Sequence, residues 1–137
     1  MPVDTVLPHV NYQNLEEAMA WLTKTFGFRE YYRYGDGPGG GQMWAGTAAI
    51  QVRQADSGQK SPAQLGYGTQ SLTLFVDDVD EHYERAKAAG AKIVEEPHVT
   101  EYGEYQYAAE DLDGHHWLFS RHTNDRSPED WGAVMNR

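Results

Sequence analysis

The sequence predicts an α+β fold of two paired β-α-β-β-β modules whose sheets open around a cleft. Three observations predict it. Each half starts with a strand-like segment that runs into a capped amphipathic helix. Three further strand-like segments follow each helix. The two N-cap residues, Asn14 and Asp78, stand 64 residues apart, so one structural grammar is used twice. A chain of 137 residues suits a single domain, and one module alone has too little core to be stable. Module one is read over about residues 5–54, a linker over 55–69, module two over 70–121 and a C-terminal tail over 122–137.

In module one, residues 5–12 (TVLPHVNY) are strand formers. Asn14 caps the helix NLEEAMAWLTKTFGF with Glu17 three residues on, and Leu15, Ala18, Trp21, Leu22 and Thr25 give one apolar stripe. Gly27 is its stop. Residues 28–34 return to strand, GDGPGGG (35–41) reads as a mobile hairpin connection or lid, and two strands follow around Gly46–Thr47. The Gly-rich loop is not a phosphate cradle, because no helix N-terminus follows it.

After the polar, Gly/Pro-punctuated linker, residues 70–76 form a strand and Asp78 caps a helix that Gly90 ends, with Glu81 in the capping-box position. The acidic run Asp77, Asp78, Asp80 and Glu81 suits a helix N-terminus and needs no functional explanation. AKIVEE, EYQYAAE, the turn DLDG and HHWLFSR complete the module. In the tail, Ser127 and Pro128 signal a short helix, and Trp131 and Val134 are candidates to dock it.

With 39% hydrophobic residues the chain can bury a core, which excludes global disorder. The net charge of −10 repels nucleic acid, as no basic stripe offsets it, and favours a neutral or cationic small-molecule partner. The absence of cysteine excludes disulfides, Cys-based zinc sites, iron–sulfur clusters and thiol nucleophiles. With no signal-like N-terminus and no apolar run long enough to span a bilayer, a cytoplasmic protein with no membrane partner is expected.

The segments NLEEAMAWLTKTFGF, SLTLFVDDVDEHYERAKAAGAKI and YGEYQYAAEDLDGHHWLFS, in that order and spacing, resemble the vicinal oxygen chelate superfamily. That superfamily includes glyoxalase I, bleomycin resistance proteins and extradiol dioxygenases, and the resemblance spans about residues 5–121. Leu112 departs from the Pro usual in the family's turn. The resemblance implies a homodimer, and a metal site with one ligand from the first and last strand of each module. Carried onto this chain, those four positions fall at about Leu7, Gln51, Ser71 and Leu118. Only Gln51 offers an oxygen suited to a hard cation, and one amide does not hold one, so no metal cofactor is expected.

Strand alternation places His9, Asn11, Gln51, Arg53, Ser71, Thr73, Phe75 and His116 on the inward faces as candidate ligand-binding residues. Trp44 and Tyr102 are added as aromatic walls for a flat or cationic ligand, with Tyr67, Tyr105 and Tyr107 as lesser candidates. His82, His98 and His122 read as surface residues.

The first functional reading is a metal-free, resistance-type protein that binds an aromatic or cationic compound. The alternative is a lyase, isomerase or dioxygenase dependent on a divalent metal such as Zn, Ni, Mn or Fe, held at a non-standard site around His9 and His116. A third reading is a regulatory domain without ligand.

Overall fold

The computed structural model describes residues 6–35 and 39–136. Module one comprises β1 (His9–Tyr12), α1 (Leu15–Phe26), β2 (Arg29–Tyr34), β3 (Gly40–Ala45) and β4 (Ala48–Gln54). A one-turn helix, α2 (Pro62–Leu65), leads to module two: β5 (Ser71–Phe75), α3 (Val79–Ala88), β6 (Lys92–Val99), β7 (Glu104–Glu110) and β8 (His116–His122). Sheet A has the order β1-β4-β3-β2 and sheet B the order β5-β8-β7-β6. In both, the first strand runs parallel to the last and the remaining pairs are antiparallel. The repeat in the sequence is therefore a repeat in topology.

The helix termini follow their local chemistry. The side chain of Asn14 accepts from the Glu17 amide, that of Asp78 from the Glu81 amide, and Gly27 closes α1 at φ 76°. The second helix stops slightly earlier than Gly90: Ala89 is its C-cap in right-handed geometry, and Gly90 takes the positive φ one residue on. Gly40 and Gly41, expected in the loop, are strand residues of β3. Residues 36–38 of that loop lie outside the described residues. The segment expected to be a plain linker is anchored. Ser61 and Gln64 form a capping box on α2, and the Ala63 amide donates to the Asp113 carbonyl at 2.9 Å.

Each helix covers one face of its own sheet, and α1 also packs on α3, so the two modules share one core. Phe26 of α1 meets Phe119 and Trp117 of sheet B at centroid separations of 4.8 and 6.1 Å, and Phe28 meets Trp117 at 5.3 Å. Burying each such side chain contributes roughly 2–3 kcal/mol, which explains why neither module needs to be stable alone. The modules thus stand back to back, with the faces opposite the helices turned outward.

His82 corrects an expectation. It is half-buried at this junction rather than on the surface: Nε2–H donates to the Phe26 carbonyl at 3.0 Å and Nδ1 accepts from the Tyr107 hydroxyl. Phe26 and Phe119 flank its ring. Burial lowers its pKa to about 4, with a smaller contribution from Arg85. Arg85 itself donates from Nε to the Lys24 carbonyl and from Nη2 to that of Thr23, so α3 caps the C-terminus of α1.

A second junction lies at the DLDG turn. Asp111 is 6% exposed and accepts four hydrogen bonds: from the Tyr12 hydroxyl, the Trp117 indole, and the amides of Asp113 and His115. Burial pushes its carboxyl pKa up, and burial beside this carboxylate pushes the Tyr12 phenol up as well. The His115 ring Nε2 bonds the Asn11 carbonyl at 2.8 Å, tying the turn to β1. No helix among the described residues is long and apolar enough to cross a membrane.

Candidate functional site

The strand register settles which predicted residues share a surface. On sheet A, His9 lies opposite Gln51 and Asn11 opposite Arg53; Gln51 in turn faces Gln42, Arg53 faces Gly40, and Ala49 faces Trp44. On β2, Tyr32 pairs with Gln42, Tyr34 with Gly40 and Arg29 with Trp44. Directly opposed strand residues point the same way, so the outward face is a grid of three rows. One row is Ala49, Trp44 and Arg29. The next is His9, Gln51, Gln42 and Tyr32. The last is Asn11, Arg53, Gly40 and Tyr34. The opposite face carries Val10, Tyr12, Met43, Ala45, Ile50 and Val52, all buried under α1.

Gly40 shapes this grid. A side chain there would collide with the Tyr34 ring, whose Cζ would lie 2.6 Å from a Cβ, so the ring lies across the glycine. The Tyr34 hydroxyl accepts from Gln51 Nε2 at 3.1 Å, which holds the amide in place. Gln42 and Gln51 are buried although they stand on the outward face. Tyr31, at a β-bulge between Glu30 and Tyr32, packs on Trp44 at 5.5 Å and on Tyr32 at 5.3 Å. Sequence reading missed Tyr31, Tyr32, Tyr34 and Gln42. The signal was the aromatic repeat REYYRY beside Gly40–Gly41, but the bulge hides which rings share a face.

On sheet B, Ser71 lies opposite His116, Thr73 opposite Leu118 and Phe75 opposite Ser120, as the alternation predicted. Ser71 Oγ and His116 Nδ1 are hydrogen-bonded at 2.8 Å, and Phe75 is 63% exposed. A cavity of about 760 Å³ lies between this end of the sheet and the linker, lined by Tyr67, Ser71, Lys92, Glu110, Gly114 and His116. A second, of about 270 Å³, is lined by His9, Asn11, Gln59, Tyr67 and His115. His9 and His116 therefore belong to neighbouring cavities that share Tyr67 as a wall. Among the described residues, no three His, Asp or Glu side chains converge as a metal site would require.

The other aromatic candidates stand elsewhere. Tyr102 lies in the β6–β7 turn, where Trp131 of the tail packs edge-on against it at 5.8 Å. The tail forms a 3₁₀ turn over Pro128–Trp131 capped by Ser127, while Val134 is 95% exposed. Tyr107 is fully buried on the helix side, and Tyr105 donates to Asp80 with Arg121 over its ring. These two cannot wall a cleft, because alternation turns them toward α3.

The four positions that the resemblance assigns to metal ligands do not suit a divalent ion. Leu118 stands on the outward face of β8 opposite Thr73, Leu7 precedes β1, and neither offers a donor. Ser71 is hydrogen-bonded to His116, and Gln51, whose Nε2 donates to Tyr34, brings only one amide oxygen.

Comparison with known proteins agrees with this architecture. Residues 4–119 match the family model of the Glyoxalase/Bleomycin resistance protein/Dioxygenase superfamily. The chain belongs to that superfamily. Among solved structures, TioX from Micromonospora sp. ML1 is 28% identical with a TM-score of 0.72, over 90% of this chain and all of that one. The genomically encoded fosfomycin resistance protein FosX from Listeria monocytogenes is 18% identical with a TM-score of 0.65, over 94% of this chain and 98% of its own. A superfamily member from Alicyclobacillus acidocaldarius is 14% identical with a TM-score of 0.70, over 88% of this chain and 92% of its own. These last two share the fold. A search of functionally curated proteins returns no match.

Proposed function

We propose that this superfamily member is a metal-free, resistance-type protein that binds an aromatic small molecule on the outward face of sheet A. The observation that carries this reading is the grid itself. Exposed or half-exposed rings of Trp44, Tyr31, Tyr32 and Tyr34 surround two buried glutamines, of which Gln51 is held by Tyr34. Aromatic platforms with a few fixed polar groups are what a flat ligand requires. The residues at the inherited metal positions support the metal-free part, since Leu7 and Leu118 have no donor atom.

The protein acts as a homodimer in this proposal. The outward faces of sheets A and B point away from the shared core, so a two-walled cleft is completed when sheet A of one protomer faces sheet B of its partner. Exposed Phe75 and half-buried Leu118 supply an apolar second wall. The alternative of a metal-dependent lyase, isomerase or dioxygenase is tested on the same material. Metal content is measured by mass spectrometry on untagged protein, followed by thermal shifts with Zn, Ni, Mn and Fe(II), and the mass is measured by sedimentation. We expect no stoichiometric metal, no shift above about 2 °C and a dimer. Stoichiometric metal or a large shift with one ion overturns the metal-free reading.

A further inference from the structure

The charge of the chain as a whole does not describe the face of sheet A. The protein carries −10, yet the charged residues in the three rows are Arg29 and Arg53, and no carboxylate shares that face among the described residues. Glu30, the carboxylate nearest in sequence, pairs in register with Met43 on the helix side and is bridged to Arg33 at 2.6 Å. Arg33 in turn reaches Glu16 of α1 at 3.5 Å. Arg29 and Arg53 are exposed, and neither forms an ion pair with a described residue. Sheet B differs: Glu110 pairs with Lys92, Glu95 with His98 and Glu104 with His122.

Position gives the two arginines a meaning. Arg53 shares its row with Asn11, Gly40 and the Tyr34 ring that lies over Gly40, and Arg29 shares its row with Trp44. Each aromatic platform therefore has a guanidinium beside it. Gly40 and Trp44 are four residues apart on one strand, about 13 Å, with the glutamine row between them. Guanidinium is planar, always charged and presents paired N–H donors that match a carboxylate. In a chain of net negative charge, leaving two such groups without an ion pair among the described residues is electrostatic complementarity to an anion.

From this we infer that the sheet A face selects planar aromatic acids: the ring system stacks on Tyr34, and the acid group is held by Arg53. The inference rests on the aromatic-binding reading above and adds the sign of the ligand's charge, opposite to what net charge alone suggests.

The test titrates the intact protein with three matched probes, 2-naphthoate, 2-naphthamide and 2-naphthylmethylammonium, by calorimetry at low salt. The acid is expected to bind at least about tenfold more tightly than the amide, and the amine more weakly than both. Arg53→Gln should remove the preference for the acid while leaving amide affinity within about twofold. Arg53→Lys should keep part of the preference through its charge. Tyr34→Ala should weaken acid and amide alike. Thermal unfolding of each variant confirms that it folds, and Arg53 is exposed, so its replacement should move the midpoint little. Equal binding of acid and amide, tighter binding of the amine, or an acid preference that survives Arg53→Gln overturns the inference and leaves aromatic binding standing. Failure of all three probes to bind at millimolar concentration overturns both.

Discussion

Sheets A and B have the same strand order and the same capped helix on one side, yet their outward faces differ in kind. Sheet A presents packed rings, a buried glutamine pair and two arginines that form no ion pair among the described residues. Sheet B presents an exposed Phe75, a serine–histidine pair and carboxylates that each have a basic partner. The helix-facing sides, by contrast, are alike enough to merge into one core. A duplicated scaffold must keep the surface that packs, because core positions are constrained by volume, and is free to vary the surface that does not. The difference teaches that the two outward faces present different chemistry on one scaffold, which is why the proposal gives recognition to A and closure to B.

The junction that makes the two sheets one body is where this comparison breaks most readily. Asp111→Ala leaves the Tyr12 hydroxyl, the Trp117 indole and two amides without their acceptor, and should cost about 3 kcal/mol or more. Urea unfolding followed by fluorescence and circular dichroism checks it. Coincident transitions with a lowered midpoint are expected, and two separated transitions would mean that the modules are independent.

The His82 junction predicts a pH dependence of similar size. The ring is neutral in the folded protein with a pKa of about 4, against about 6.5 when unfolded. Below the unfolded value, protonation favours the unfolded chain. Stability present above about pH 6.5 should therefore fall by about 3 kcal/mol as the pH approaches 4. Urea unfolding across that range measures the loss, and His82→Gln should flatten the curve. An unchanged slope in the variant would assign the acid sensitivity to the carboxylates instead.

On sheet A, Gly40→Ala must displace the Tyr34 ring and with it the bond to Gln51, an expected loss of about 1–2 kcal/mol in stability. Probe affinity should fall with it, and unchanged affinity for aromatic probes would show that Tyr34 is not a platform. On sheet B, Phe75→Ala is expected to change monomer stability by less than about 0.5 kcal/mol, because the ring is 63% exposed. It should still weaken the dimer measured by sedimentation. A dimer of unaltered strength would remove Phe75 from the second wall.

Much of this architecture was legible in the linear chain. Asn14, Asp78 and Gly27 announce helix ends through local hydrogen bonding and backbone geometry that need no tertiary partner. The alternation in β5 and β8 placed Ser71, Thr73, Phe75 and His116 correctly on one face, because the pleat has a strict period of two. On β2 no such alternation is legible, because a bulge between Glu30 and Tyr32 interrupts the period and conceals the aromatic row. The packing of the tail's Trp131 on Tyr102, an expected aromatic wall, could not be read from the chain. His82 looked like a surface residue of an acidic helix, and Phe26 and Phe119, distant in sequence, enclose it.

The sequence by itself determined the repeated module, its capped helices, and which side chains stand at the inherited positions, since these depend on interactions within a few residues or on side-chain chemistry alone. Only the tertiary structure decided that the modules stand back to back, that His9 and His116 line different cavities, and that one face of an acidic protein carries two exposed arginines. These last facts depend on which distant strands lie side by side, and register between strands is set by packing across the whole core rather than by any local run of residues.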